Sequence, residues 1–229
     1  MATVTEREID CADLQTREVN TLLRGLADGD QVRLTNLDAR HNIAVGLHCR
    51  AQITIEGDAG YYAAGLCDGP DVVVTGHAGN GAAENLQSGS LTVAGDVGAG
   101  LAATMRGGRA VVAGSTGARA GVLMKGGDVL VGGSVGAFSC FMMQRGRMVI
   151  CGDAGEHLGD SLYEGKIYVG GEIASLGADA QAAPATAEEE AELRAHCEAH
   201  GIAPPASFTA VTSMRTLYSF DAGAWKSGD

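Results

Sequence analysis

Every 19 residues this sequence begins again. Cut from Ile53, it reads ITIEGDAGYYAAGLCDGPD, VVVTGHAGNGAAENLQSGS, LTVAGDVGAGLAATMRGGR, AVVAGSTGARAGVLMKGGD, VLVGGSVGAFSCFMMQRGR, MVICGDAGEHLGDSLYEGK and a shortened IYVGGEIASLG, with no insertion or deletion between 53 and 177. Gly57, Gly76, Gly95, Gly114, Gly133, Gly152 and Gly171 share one column. Gly60, Gly79, Gly98, Gly117, Gly136 and Gly155 share another, and Gly89, Gly108, Gly127, Gly146 and Gly165 a third. A unit this short cannot bury an apolar face alone, so neighbouring units must stack and share a core.

Each unit opens with an alternation: Ile53/Ile55, Val72/Val74, Leu91/Val93, Ala110/Val112, Val129/Val131, Met148/Ile150 and Ile167/Val169. Side chains two apart on a strand point the same way, so these pairs face one interior. The residues between them (Thr54, Val73, Thr92, Val111, Leu130, Val149 and Tyr168) point outward, and their apolar character predicts that some are covered. A second inward column holds Cys67, Leu86, Met105, Met124, Met143 and Leu162, and Ala63, Ala82, Ala120 and Ser139 fill a narrower position. Short parallel strands joined by glycine bends satisfy all of this, because glycine tolerates positive φ and close backbone approach. The expected fold is therefore all-β: a right-handed, single-stranded parallel β-helix with 19-residue coils. Hexapeptide left-handed helices repeat in equal sixes, and the leucine-rich repeat signature L-x-x-L-x-L is missing. At about 4.8 Å per strand, six spacings make an axis of about 29 Å.

The ends break the period. Residues 32–52 read as an irregular first coil with Val32 and Leu34 inward, and 16-TREVNTLLRGLADG-29 as a short helix covering it through Val19, Leu22, Leu23 and Leu26. After Gly177, ADAQAAPA reads as a linker. Thr186 and Glu189 form a capping box that opens a helix to about His200, stopped at Gly201. The expected organisation is a cap over 1–31, the β-helix over 32–177, and a helix with a docking tail over 178–229.

The repeat disposes of several functions. The three glycines of LTVAGDVGAGLAATMRGGR suggest a dinucleotide loop, yet the next strand arrives 19 residues on with the same glycines, where such a loop needs a helix and a later acid. Asp58, Asp96 and Asp153 share a column but skip coils, about 10 Å or more between neighbours, too far for one calcium ion. With a net charge of −12, the chain lacks the basic excess that nucleic acid requires. No apolar run reaches about 18 residues, and MATVTEREIDCADLQ carries acids where a signal peptide would be basic, so the expected compartment is the cytoplasm. Six cysteines without C-x-x-C spacing read as small buried residues of a reducing compartment, not as a disulfide or metal framework.

Catalytic candidates are Glu84, His77, His157, Asp160 and Glu164, but no spacing among them demands acid–base work, and Ser161 in GDSLYEG is not a nucleophile elbow. Asp71, Ser90, Arg109, Asp128, Arg147 and Lys166 read as a mixed-sign surface ladder. No catalytic, cofactor or metal residues are expected in this chain. Departures from the plain repeat read instead as a partner interface: Tyr61 and Tyr62 with Pro70 in an early coil, Glu84 and Asn85 after them, Asp160, Ser161 and Tyr163 in the last full coil, and Tyr218 and Phe220 among the tail's aromatics.

The blocks RHNIAVGL, GYYAAGLCDGP, GNGAAENLQSG and especially GDSLYEGKIYVGG, with the tail RTLYSF, resemble a known family. It is the GXGXG β-helix domain at the carboxy end of the glutamate synthase large subunit, in the free-standing form found as a subunit of N-methylglutamate synthases. The resemblance covers about 25–180 strongly and the tail more weakly. It implies a structural element serving two partners, a glutaminase-type amidotransferase-like subunit and a glutamate-synthase-like subunit carrying FMN and an iron–sulfur cluster. The family's amidotransferase begins at a cysteine nucleophile, whereas this chain reads Met1-Ala2. The C subunit of formylmethanofuran dehydrogenase, or of the related formyltransferase/hydrolase complex, carries a similar glycine β-helix and is the alternative.

Overall fold

Strand pairing follows the repeat residue for residue. In a computed structural model, which describes residues 6–215, nine strands stack in parallel along one sheet. They are β1 (Glu6–Asp10), β2 (Gln31–Thr35), β3 (Gln52–Ile55), β4 (Asp68–Val74), β5 (Ser88–Val93), β6 (Arg109–Val112), β7 (Lys125–Val131), β8 (Arg145–Ile150) and β9 (Lys166–Val169). From Ile53 the partners run Val72, Leu91, Ala110, Val129, Met148 and Ile167, each step 19 residues. These residues and the companions two further on are buried in one continuous core, together with Met105, Met124 and Met143 of the second column. The chain is a parallel β-solenoid of about seven turns.

A second wall is a line of parallel bridges through Ala59, Ala78, Val97, Thr116, Val135, Ala154 and Ile173. The third wall is built of turns. Within each coil an amide donates to the carbonyl three residues back, as Ala103 N does to Gly100 O and Met105 N to Ala102 O. The third residue of each such turn has positive φ: Ala102 at 53° and Thr104 at 55°. That is the type II pattern, for which glycine is the natural occupant. Alternate amides reach the neighbouring coils instead, Thr104 N to Val122 O and Ala102 N to Ala82 O, so this wall is laced coil to coil like the sheet opposite.

Glycine's role differs between columns. In the column that begins with Gly57, only Gly57 has positive φ (81°), and nothing lies near its missing side chain. The other six are selected by crowding. A Cβ on Gly114 would overlap Asp96 Oδ1 and stand 2.9 Å from the Gly95 carbonyl oxygen.

The helix α1 (Thr16–Arg24) buries Val19 and Leu23 on the first coil, with Leu26 just beyond it; Leu22 is 38% exposed, because it turns away from that stripe. The expected cap over 1–31 is not helix alone. It contains β1, paired in register with β2 from Glu6↔Gln31 to Asp10↔Thr35. EREID has one apolar residue, Ile9, so no alternation marks it as a strand.

At the other end the expected linker is β10 (Ala180–Pro184), and part of the expected tail is β11 (Thr209–Ser213). β11 lies between β9 and β10, antiparallel to both. The free edge of β9 supplies the reason: its unpaired amides and carbonyls recruit a strand whatever its composition, and Pro184 is tolerated because it closes the strand that ends the sheet. Between these strands, α2 (Ala187–Ala199) starts from the Thr186–Glu189 capping box, as expected. Leu193, Cys197, Ile202 and Phe208 form a second core with Val111, Leu130, Val149 and Tyr168. The helix thus covers the outward column over its last four members and leaves Thr54, Val73 and Thr92 open, Val73 at 39% exposure.

Candidate partner interface

The residue after each column glycine from Gly57 to Gly152 accepts a hydrogen bond from the next coil. His77 N donates to Asp58 Oδ1 (2.7 Å), Asp96 N to His77 Nδ1 (2.9 Å) and Ser115 N to Asp96 Oδ1 (2.7 Å). Ser134 N, Asp153 N and Glu172 N continue to Ser115 Oγ, Ser134 Oγ and Asp153 Oδ1. Only side chains with an acceptor close to Cβ fit, which accounts for Asp, His, Asp, Ser, Ser, Asp down this column. The calcium-like acids and His77 are therefore engaged in joining coils. His77 Nδ1 also lies 3.6 Å from Asp96 Oδ2, but a nitrogen accepting an amide proton carries none for a salt bridge.

The predicted mixed-sign ladder is real. Ser90 Oγ donates to Asp71 (2.6 Å), Arg147 Nε to Asp128 (2.7 Å), and Arg109 stands 3.6 Å from the same carboxylate. It continues onto α2. Arg147 also pairs with Glu192 at 2.6 Å, Glu189 receives Tyr168 Oη at 2.8 Å and Lys166 Nζ at 3.2 Å, and His196 Nε2 sits 3.1 Å from Asp128 Oδ2 without hydrogen-bond geometry. Backbone and side-chain donors from Thr186, Tyr168 and Lys166 hold the Glu189 carboxyl down at about 2. Burial lowers the His196 pKa, and Arg147, His200 and Arg109 add to that; Asp128 opposes them without prevailing.

Ser161 Oγ donates to Asp160 (2.8 Å), its own neighbour, and His157 stacks on Phe138 with ring centres 4.6 Å apart. Nothing in this arrangement activates the hydroxyl. The six cysteines are free thiols; burial pushes Cys67 up to about 11 and Cys151 up to about 12, which keeps both protonated at neutral pH. Among the described residues, no three His, Cys, Asp or Glu side chains converge to hold a metal ion, and no helix is long and apolar enough to cross a membrane.

The interface candidates Tyr61, Tyr62, Glu84, Asn85, Asp160, Ser161 and Tyr163 fall on the turn wall, in two groups. Tyr61 and Tyr62 are each 45% exposed at its amino-terminal end. Tyr61 stacks on His41 (4.4 Å), whose Nδ1 accepts the Tyr61 amide, and a Cβ on Gly79 or Gly81 would run into the Tyr61 or Tyr62 ring. Those two glycines are thus the floor on which the tyrosines lie. Glu84 and Asn85 follow one coil later, with Asn85 Oδ1 receiving Arg106 Nε at 3.2 Å. Asp160, Ser161 and Tyr163 stand at the far end; Ser161 shares the column of Asn85, four coils and about 19 Å away. Tyr218 and Phe220 lie outside the described residues. Between the two groups lies what the sequence reading passed over: Val122, Leu123, Phe141 and Met142, half-buried on the same wall. Their columns alternate direction by turns, not by strand or helix period, so no periodicity flags them. No protein-family model and no curated protein matches the chain.

Proposed function

We propose that this chain is the non-catalytic β-helix subunit of a glutamate-synthase-like complex, an N-methylglutamate synthase (methylamine–glutamate N-methyltransferase), working in the cytoplasm. The complex would convert methylamine and glutamate to N-methylglutamate and ammonia. FMN and an iron–sulfur cluster would reside in one partner subunit, and a glutaminase-like fold in the other. The observation that carries this reading is the in-register 19-residue solenoid whose last full coil runs into the shortened one through GDSLYEGKIYVGG. A rod hydrogen-bonded at every coil suits the task, since two remote sites exchanging a small amine need a fixed separation.

The test is affinity purification of the tagged chain from its native source, with mass spectrometry of what accompanies it. Recovery of a flavin- and iron–sulfur-bearing glutamate-synthase-like chain with a glutaminase-like chain is expected. Formylmethanofuran dehydrogenase subunits in their place, or a chain that purifies alone with full activity on a substrate, would overturn the reading.

A further inference from the structure

The turn wall changes character along its length. Its two outward columns hold Glu84 and Asn85 in one coil and Asp160 and Ser161 in another, but the three coils between them hold Ala103/Thr104, Val122/Leu123 and Phe141/Met142. These cannot turn inward, because Met105, Met124 and Met143 immediately after them already fill the core at 0% exposure. Phe138 adds a ring at 38% exposure on the same wall. Leu123, Phe138 and Met142 hold φ of 54°, 56° and 52°, so bulky side chains stand where glycine would fit with less strain.

The stretch of chain that bears this stripe is opposite in charge to the molecule. From Leu91 to Arg147 the chain carries six cations, Arg106, Arg109, Arg119, Lys125, Arg145 and Arg147, against two acids, Asp96 and Asp128, in a protein of net charge −12. Asp128 is taken by Arg147 and Arg109. Arg106 and Lys125, exposed on adjacent coils, flank one side of the stripe, and Arg119 flanks the other. Among the described residues, the Arg106 side chain has only the neutral Asn85 as partner, and Lys125 and Arg119 enter no ion pair.

We infer that this cation-flanked apolar stripe is a docking surface for an acidic amphipathic segment of a partner subunit, apolar side chains against Leu123, Phe141 and Met142 and carboxylates against Arg106, Lys125 and Arg119. The inference rests on the scaffold reading for the existence of a partner, not for its family. An apolar centre favours a protein over nucleic acid, whose phosphates need cations across the whole face.

Hydroxyl-radical footprinting of the free chain and of the native complex tests it, together with purification of the complex through the Arg106→Glu/Lys125→Glu double variant. Both substitutions are at exposed sites, and an unchanged melting temperature controls for folding. Expected are protection of Phe141 and Met142 in the complex alone, recovery of one partner reduced about tenfold by the charge reversal, and loss of that partner as salt rises. A complex that forms with the stripe still reactive, or that ignores the reversal, overturns this inference and leaves the scaffold reading standing. A wild-type chain that recovers no partner overturns both. Protection already present in the free chain, relieved by truncation after Arg215 or by dilution, would assign the stripe to the chain's own end or to a second copy and also overturn it.

Discussion

Asp96 and Gly114 show how two columns of the repeat are one device. The carboxylate accepts the amide of Ser115, and the space it fills is the space a side chain on Gly114 would need. Gly114→Ala must displace both the acceptor and a backbone carbonyl, so we expect a loss of about 2 kcal/mol or more, read by chemical denaturation. Gly57→Ala meets no neighbour but takes on a positive φ, and should cost only about 1 kcal/mol. Equal costs would mean that backbone conformation, not crowding, selects these glycines. Arg119 tests the converse. Its φ of 63° stands in a column where earlier coils have Gly81 and Gly100, and Arg119→Gly should raise stability by about 0.5–1 kcal/mol. The glycine columns were legible in the sequence. Their separate reasons were not, since crowding depends on an atom one coil away.

At the scale of elements, α2 is the part whose attachment is expected to depend on pH. His196 is half-buried with a lowered pKa, so the unfolded state binds its proton more readily; stability from its neutral form is present above the usual 6.5 and declines as pH falls below it. The Glu189 pKa is lowered too, but there the charged form is the favoured one: held at about 2 against a usual 4.5, its contribution is complete above 4.5 and lost as pH falls toward 2. The protection factors of the α2 amides, taken against the intrinsic exchange rate at each pH, should therefore fall in two steps on acidification. His196→Gln should remove the first step and Glu189→Gln the second, and a single step surviving both would refute the assignment. Leu193→Ala, at 1% exposure over Leu130 and Val149, should cost about 2–4 kcal/mol and release the helix before the solenoid melts. The helix itself was readable from Thr186 and Glu189, because a capping box is local. β1 and β10 were not: EREID and AQAAP lack the alternation of a half-buried strand, and only the open edges of β2 and β11 make them strands.

For the molecule as a whole, the period is the architecture. Deleting residues 72–90, one unit of 19, returns every column to register and should leave a cooperative melt and native circular dichroism; deleting 72–89 shifts all later columns by one and should abolish the fold. Met124→Asp should unfold the stack from within, at a cost above about 3 kcal/mol, because its charge would lie at a fully buried site. A melting temperature unchanged by Met124→Asp would mean that the methionine column faces solvent. The sequence by itself determined the coil length, the inward columns and the helix at the capping box, because each is set by contacts that recur at a constant spacing or within one turn of chain. Only the tertiary structure decided which outward residues α2 covers, that β11 slips between β9 and β10, and that Leu123, Phe141 and Met142 are left half-buried between Arg106, Lys125 and Arg119. Those arrangements depend on the stacking of whole coils, which places residues 19 or more apart side by side and gives an exposed stripe no period of its own.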